Sequence, residues 1–215
     1  MIGDYVFRMT HIDNIPHILQ NGITHRNSPN ANPNYTVIGD ISLIGVRANK
    51  IIPVSNGMSG YRYVENICLG DFIPFYFWWR MPMLYIIQNG FNVVKRNPEE
   101  IVYLVCAVNE LANQFLEIYF SDGHTVDSFS SVFDKTKLND LPILLDDKAI
   151  KSKYWKGADI DTDLKRRKEA EFLVEGDISP ELIKYYICYN EGAKQNLLGF
   201  GIDENKIKIV PQAYY

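Results

Sequence analysis

Residues 101–108, 115–120, 172–174, 183–189 and 206–210 are short apolar runs rich in Val, Ile, Leu, Tyr and Phe, the pattern of strands buried in a sheet. Strands are also predicted at 4–8 and 71–77; the second holds Pro74, which cannot donate to a ladder and so belongs at an edge or at a strand's start. After the first strand the spacing turns helical, with Ile15, Ile18 and Leu19 on one face. Asp13 or Asn14 can cap that helix, Pro16 suits its first turn, and Gly22 supplies a left-handed stop. Pro82 opens another helix that ends before Gly90. Residues 26–36 are too rich in Asn and Pro for a regular element, and 41–54 is ambiguous. Strands and helices follow one another without the rhythm of a doubly wound sheet, which predicts an α+β fold; no internal repeat is visible.

A chain of 215 residues suits one domain, spanning 1–215, with enough length to bury a sizeable core. The net charge of −4 gives no overall positive field, so any contact with nucleic acid must be local. The excess of aromatics, 14 Tyr, 11 Phe and 3 Trp, serves sheet packing or base stacking. Cys68, Cys106 and Cys188 form no CxxC pair and leave an odd thiol, which suits a reducing compartment. The first residues lack a leader pattern and no apolar stretch approaches membrane-spanning length, so a cytoplasmic protein with no membrane partner is expected.

The chain has no GxxxxGK[ST] loop, no GxGxxG, no HExxH and no GxSxG, which removes support for kinases, Rossmann oxidoreductases and zinc peptidases. His11, His17, His25 and His124 match no metal spacing, so no metal is expected. What remains are isolated polar residues held by apolar neighbours: His11, Arg47, His124 and Glu171. Period-two alternation turns Glu171 away from Phe172 and Val174, towards either a cleft or open solvent, and exposed glutamate is the commoner outcome. Glu169 and Glu175 share that face. His11 reads equally as a capping or core residue, and Arg47 as a surface charge.

Five short segments, Thr10-His11-Ile12-Asp13-Asn14-Ile15-Pro16, Tyr35-Thr36-Val37-Ile38-Gly39-Asp40, Asp71-Phe72-Ile73-Pro74-Phe75-Tyr76-Phe77, Ser121-Asp122-Gly123-His124 and Ala170-Glu171-Phe172-Leu173-Val174, occur in an order that resembles the DarT family of DNA ADP-ribosyltransferase toxins. The resemblance covers about three quarters of the chain. It implies an ADP-ribosyltransferase fold, two mostly antiparallel sheets splayed around an NAD+ cleft, with NAD+ as co-substrate. Thr10, His11 and Ile12 would lie along the nicotinamide and its ribose, and Gly22 would border the rest of the dinucleotide. Glu171 matches the family's catalytic glutamate. Arg47 matches its arginine near the phosphates and the acceptor base, although Val46 stands where a second arginine is common.

The resemblance further implies that the polar stretch before Glu171 recognises the acceptor, with thymine favoured over guanine. Composition agrees: Lys148, Lys151, Lys153 and Lys156 can meet phosphates, and Tyr154 and Trp155 offer flat faces to unstacked bases, while His124 opens the stretch. A solvated loop with buried aromatics is the competing account. The implied partners are single-stranded DNA and an antitoxin, a macrodomain-type hydrolase that removes ADP-ribose. An acceptor other than DNA (RNA, protein or water) and a catalytically silent nucleic-acid-binding module are the alternatives.

Overall fold

A computed structural model describes residues 3–58, 64–157 and 160–215. The polar stretch 121–163 therefore includes two positions, 158 and 159, outside the described residues. Strand β1 (Tyr5–His11) runs through a 3-10 turn into α1 (Ile15–Asn21). Then come α2 (Ile41–Ala48), β2 (Ile51–Val54), β3 (Glu65–Cys68), β4 (Phe72–Tyr76), α3 (Pro82–Asn89), β5 (Ile101–Ala107), α4 (Val108–Gln114), β6 (Ile118–Ser121) and β7 (Val132–Asp134). Three short helices follow, α5 (Leu141–Leu144), α6 (Asp147–Lys151) and α7 (Leu164–Lys168). The chain continues through β8 (Glu171–Glu175), β9 (Ile183–Cys188), α8 (Glu191–Gly199) and β10 (Ile207–Ile209).

Among the described residues, eight strands join in the order β10-β9-β5-β1-β4-β8-β6-β7, and β2 and β3 form a separate hairpin sheet. All pairings are antiparallel except β10 with β9. The expected α+β architecture is what forms. Its two splayed halves appear as one ladder joined at its middle by a single register pair, Phe7 opposite Tyr76. Beyond that pair β1 and β4 diverge. This explains Pro74, which sits on an interior strand rather than at the edge or start that the sequence suggests. Its carbonyl points towards β1, where it accepts from Arg8 Nη1 at 2.8 Å. The ring nitrogen shares that direction, so the missing donor faces the gap where no ladder partner waits.

The core forms on both sides of β5. Val102, Leu104 and Cys106 pack with Phe120, Phe172 and Val174, while Ile101, Tyr103 and Val105 pack with Leu84, Ile87 and Tyr214. A strand covered on both faces reads as a continuous apolar run, as 101–108 does. Burying a side chain such as Phe172 fully contributes roughly 1.5–3 kcal/mol. Leu173 points the other way, into a third cluster with Phe72, Tyr119, Val132 and residues of the β2–β3 hairpin. That small sheet packs against the face of β8 at Leu173, two residues along from Glu171.

The first helix starts differently from expectation. Asn14 makes no capping bond, and it is the His11 ring that accepts from Asp13 N, at 3.2 Å. Asn14 is buried instead, donating to Thr10 Oγ1 and Thr36 O and accepting from Thr36 N, so it clamps the 26–36 loop to β1. The ambiguous segment resolves as helix then strand, because Asp40 caps α2 through Ser42 N and Leu43 N. Gly22 has φ +78° and ends α1; an added Cβ there would fall 2.0 Å from Ile178 O.

Candidate active site

Glu171 opens β8 opposite Tyr76 and is only 1% exposed, which overturns the solvent-facing alternative. Its backbone N–H donates to Ser121 Oγ, which in turn donates to Gly123 O, so β8 holds the start of the loop after β6. From that loop Thr125 N donates to Glu171 Oε1 at 3.3 Å, and His124 Nε2 lies 3.7 Å from the same oxygen. Arg47 comes from the last turn of α2. Its Nη1 donates to Glu171 Oε1 at 3.0 Å and to Thr125 Oγ1 at 2.9 Å, and its Nη2 stands 2.8 Å from Oε2. That last contact is an ion pair without hydrogen-bond geometry, so Arg47 Nη2 and Glu171 Oε2 are both buried without a hydrogen-bond partner. A ligand hydroxyl could donate to Oε2 and accept from Nη2 only if the two atoms, now in contact, moved apart to admit it.

The electrostatics follow from burial around this pair. Burial opposes the charge on Arg47, but Glu171 outweighs it and raises the guanidinium above its ordinary pKa. Burial lowers His124, partly offset by Glu171, so its ring is neutral near pH 7. Tyr76 is held far above the ordinary phenol range by burial and then by Glu171, and it stays a protonated donor. Glu169 is buried as well and is pushed up to about 7, mostly by burial, with Glu171 adding to the shift and Lys165 and Lys168 opposing it.

Thr10 and His11 end β1 and Ile12 opens the turn after it, but their side chains are occupied. Thr10 is bonded to Asn14, and Ile12 packs in the core. His11 accepts at Nδ1 from Asp13 N, so when neutral its proton sits on Nε2, 3.3 Å from Glu100 Oε1. What they present to the gap between β1 and β4 is backbone. Gly22 sits where α1 meets Ile178, at the exit of β8. Asp177 reinforces that junction, accepting from His25 N at 2.7 Å and from Ser28 Oγ.

The candidate acceptor residues divide. His124 joins Glu171, and its backbone N–H donates to Arg166 O on α7, which braces the loop. Lys151 pairs with Asp147 at 2.6 Å and lies 5.3 Å from the Trp78 ring, Lys153 lies over Tyr154, and Tyr154 is 65% exposed. Trp155 packs edge-on against Tyr85 and Tyr215, so its ring is partly committed to the fold. Thr125 and Glu169 carry no sequence signal of their own, Tyr76 appears only within the 71–77 segment, and Asn14 reads as a helix cap rather than a site residue. The period-two relation of Glu169 to Glu171 is what puts Glu169 on the same face.

A family model described as ssDNA thymidine ADP-ribosyltransferase, DarT, matches residues 7–215. A DNA ADP-ribosyl transferase of Escherichia coli O127:H6 is 33% identical over 193 residues, 89% of this chain and 83% of its own length. Another, from Thermus sp. 2.9, is 31% identical over 90% of this chain and 85% of its own. The chain is also similar to the structure of Thermus sp. 2.9 DarT in complex with ADP-ribosylated ssDNA, with a TM-score of 0.78, 27% identity and coverage of 99% and 97% of the two chains. The same Thermus protein in complex with NAD+ gives a TM-score of 0.76 at 26% identity, covering 99% and 98%. A Thermosipho africanus fusion of DNA ADP-ribosyl transferase and DNA ADP-ribosyl glycohydrolase is 25% identical over 96% of this chain and 47% of its own length. With a family model spanning nearly its whole length and relatives above 30% identity, the chain belongs to the DarT family.

Proposed function

We propose that residues 1–215 act as one catalytic domain that transfers ADP-ribose from NAD+ to thymine in single-stranded DNA and releases nicotinamide. The observation that carries this reading is the buried Glu171 carboxylate, held by Arg47 and Thr125 with Oε2 left without a hydrogen-bond partner. Oε2, in ion-pair contact with Arg47 Nη2 but without a hydrogen bond, fits a ribose hydroxyl once that contact shifts, and the β4-facing side of β1 beyond Phe7, which is paired only on its β5 side, fits a carboxamide. NAD+ supplies the ADP-ribosyl group and its nicotinamide leaving group. Glu171 stabilises positive charge as it builds on the ribose, as a carboxylate does in glycoside cleavage. Arg47, always charged, orients Glu171 and the acceptor by its fork of donors and does not serve as a free base. If the thymine nitrogen must lose its proton, Glu171 is the nearest acceptor, with neutral His124 beside it.

Thymine is favoured by the family description. The fusion relative favours an ADP-ribosyl hydrolase as the antitoxin partner of this chain, in a toxin–antitoxin pair. Among the described residues no helix is long and apolar enough to cross a membrane, in keeping with action on DNA in the cytoplasm. The test is mass analysis of oligonucleotides lacking one base at a time after incubation with NAD+. A gain of one ADP-ribose on thymine-containing strands, lost in E171A, is the expected result. Nicotinamide release with no modified DNA would move the acceptor to RNA, protein or water, and no release at all would leave a binding module.

A further inference from the structure

Beyond the Glu171 site, the described residues enclose a cavity of about 120 Å³ lined by Trp78, Trp79, Arg80, Lys151, Lys153 and Lys168, with no carboxylate on its wall. We propose that this cavity is a phosphate subsite for the DNA acceptor, in which Arg80, Lys151, Lys153 and Lys168 hold one backbone phosphate while the stacked Trp78 and Trp79 rings carry a flanking base. It rests on the reading of the chain as a DNA-modifying enzyme and adds to it the position of the strand.

Four cations converge here in a protein whose net charge is −4. Lys151 is partnered by Asp147, but Lys168 is 1% exposed and, among the described residues, its Nζ donates only to the carbonyl of Ile150. Burial, and then the like charge of Arg80, push Lys168 down to about 8, with Glu169 opposing the shift. An anion between them would relieve that repulsion. Arg80 adopts φ +57°, the left-handed region that a non-glycine residue rarely enters, and two phenols keep it there: its N–H donates to Tyr103 Oη at 2.9 Å and its carbonyl accepts from Tyr215 Oη at 2.8 Å. Its guanidinium lies over the Tyr215 ring, and Nε is buried without a hydrogen-bond partner. Trp78 and Trp79 stack with centroids 4.2 Å apart, each set edge-on against Phe7, and offer flat faces to a base.

The position favours the polymer over the dinucleotide. Trp78 to Arg80 follow β4, whose Tyr76 faces Glu171, and Lys168 stands three residues before Glu171. Because β1 and β8 run antiparallel to β4, the cavity sits at the end of the strands opposite Thr10 and His11. Glu169 lies between the cavity and the carboxylate site, close enough to influence Lys168 on one side and to feel Glu171 on the other. A strand reaching the Glu171 site would lay its neighbouring phosphate here.

The experiment measures fluorescence anisotropy of a labelled thymine-containing oligonucleotide across a salt series for the wild type, R80Q, K153E and W79L, with NAD+ affinity measured in parallel. R80Q is expected to weaken oligonucleotide binding about tenfold and to lower the log–log salt slope by about 0.7, the loss of one phosphate contact on a single strand. W79L weakens binding several-fold and keeps the slope, since stacking releases no counterions. If R80Q does not fold, the exposed Lys153 decides through K153E, for which the same fall in slope is expected. Unchanged affinity and slope in the folded variants overturn the proposal, as does a rise in the NAD+ dissociation constant with oligonucleotide binding intact, which would assign the cavity to the NAD+ diphosphate. Wild-type protein that binds DNA with the Arg80-dependent slope yet modifies none would sink the enzymatic reading and leave the subsite standing.

Discussion

Arg47 and Glu171 lie 124 positions apart in sequence and meet as a two-pronged ion pair, Nη1 to Oε1 at 3.0 Å and Nη2 to Oε2 at 2.8 Å. Thr125 touches both partners, so α2, the loop after β6 and the start of β8 converge on one carboxylate.

Replacing that carboxylate by its isosteric amide separates charge from shape. E171Q is expected to lower nicotinamide release by about 100- to 1,000-fold, the scale on which one preorganised electrostatic group acts. Single-turnover kinetics with labelled NAD+ would check it, and turnover near the wild-type rate would remove Glu171 from the chemistry.

Removing the other partner tests stability. R47A leaves a buried carboxylate uncompensated and is expected to cost about 3 kcal/mol in denaturant unfolding. R47K keeps the charge and loses the fork, so it should unfold closer to wild type while its DNA modification falls about tenfold or more.

Glu169 predicts a pH effect with a defined sign. The folded chain keeps its proton up to about pH 7, whereas the unfolded chain loses it near 4.5. Between those values the folded state binds the extra proton, so stability falls as pH rises and levels off above about 7. His124, held below its ordinary 6.5, acts in the opposite sense. Comparing wild type with E169Q isolates the glutamate: the variant should gain up to about 3 kcal/mol on the wild type from pH 4.5 to 7. Parallel stability curves across that window would show that Glu169 ionises as freely as in the unfolded chain.

Gly22 predicts a backbone effect. G22A meets both a positive φ and a carbonyl 2.0 Å from the new Cβ, and it breaks the bridge between Ile23 and Ile178. A loss of more than about 1 kcal/mol in unfolding is expected, with a raised KM for NAD+. A variant as stable as wild type would mean that Ile178 moves away at little cost.

Much of the sheet could be read from local pattern, since β5, β8 and β9 are apolar runs and α3 is bounded by Pro82 and Gly90. The site could not be read that way, because each of its residues is defined by a partner far along the chain. Period-two alternation gave Glu171 its face, but its carboxylate is covered by Arg47 of α2, more than a hundred residues upstream, and by the loop after β6. Asn14 carries the signal of a helix cap and spends its hydrogen bonds on Thr36 instead. Lys168 and Glu169 belong to a charged run that reads as solvated, yet both are buried. Sequence resemblance placed Arg47 and Glu171 together by ordering short motifs, which local physics alone could not do.

The Asp177 junction has a consequence for biosynthesis. Asp177 reaches back to His25 and Ser28, across about 150 residues, and Glu171 reaches back to Arg47. A ribosome that has delivered the first 160 residues has made the 26–36 loop and Arg47, but neither the carboxylate that Arg47 grips nor the staple that fixes the loop. Contacts this distant close late in folding. A truncated or still-growing chain that stops before β8 lacks both contacts, and the Arg47–Glu171 pair can form only when β8 docks between β4 and β6.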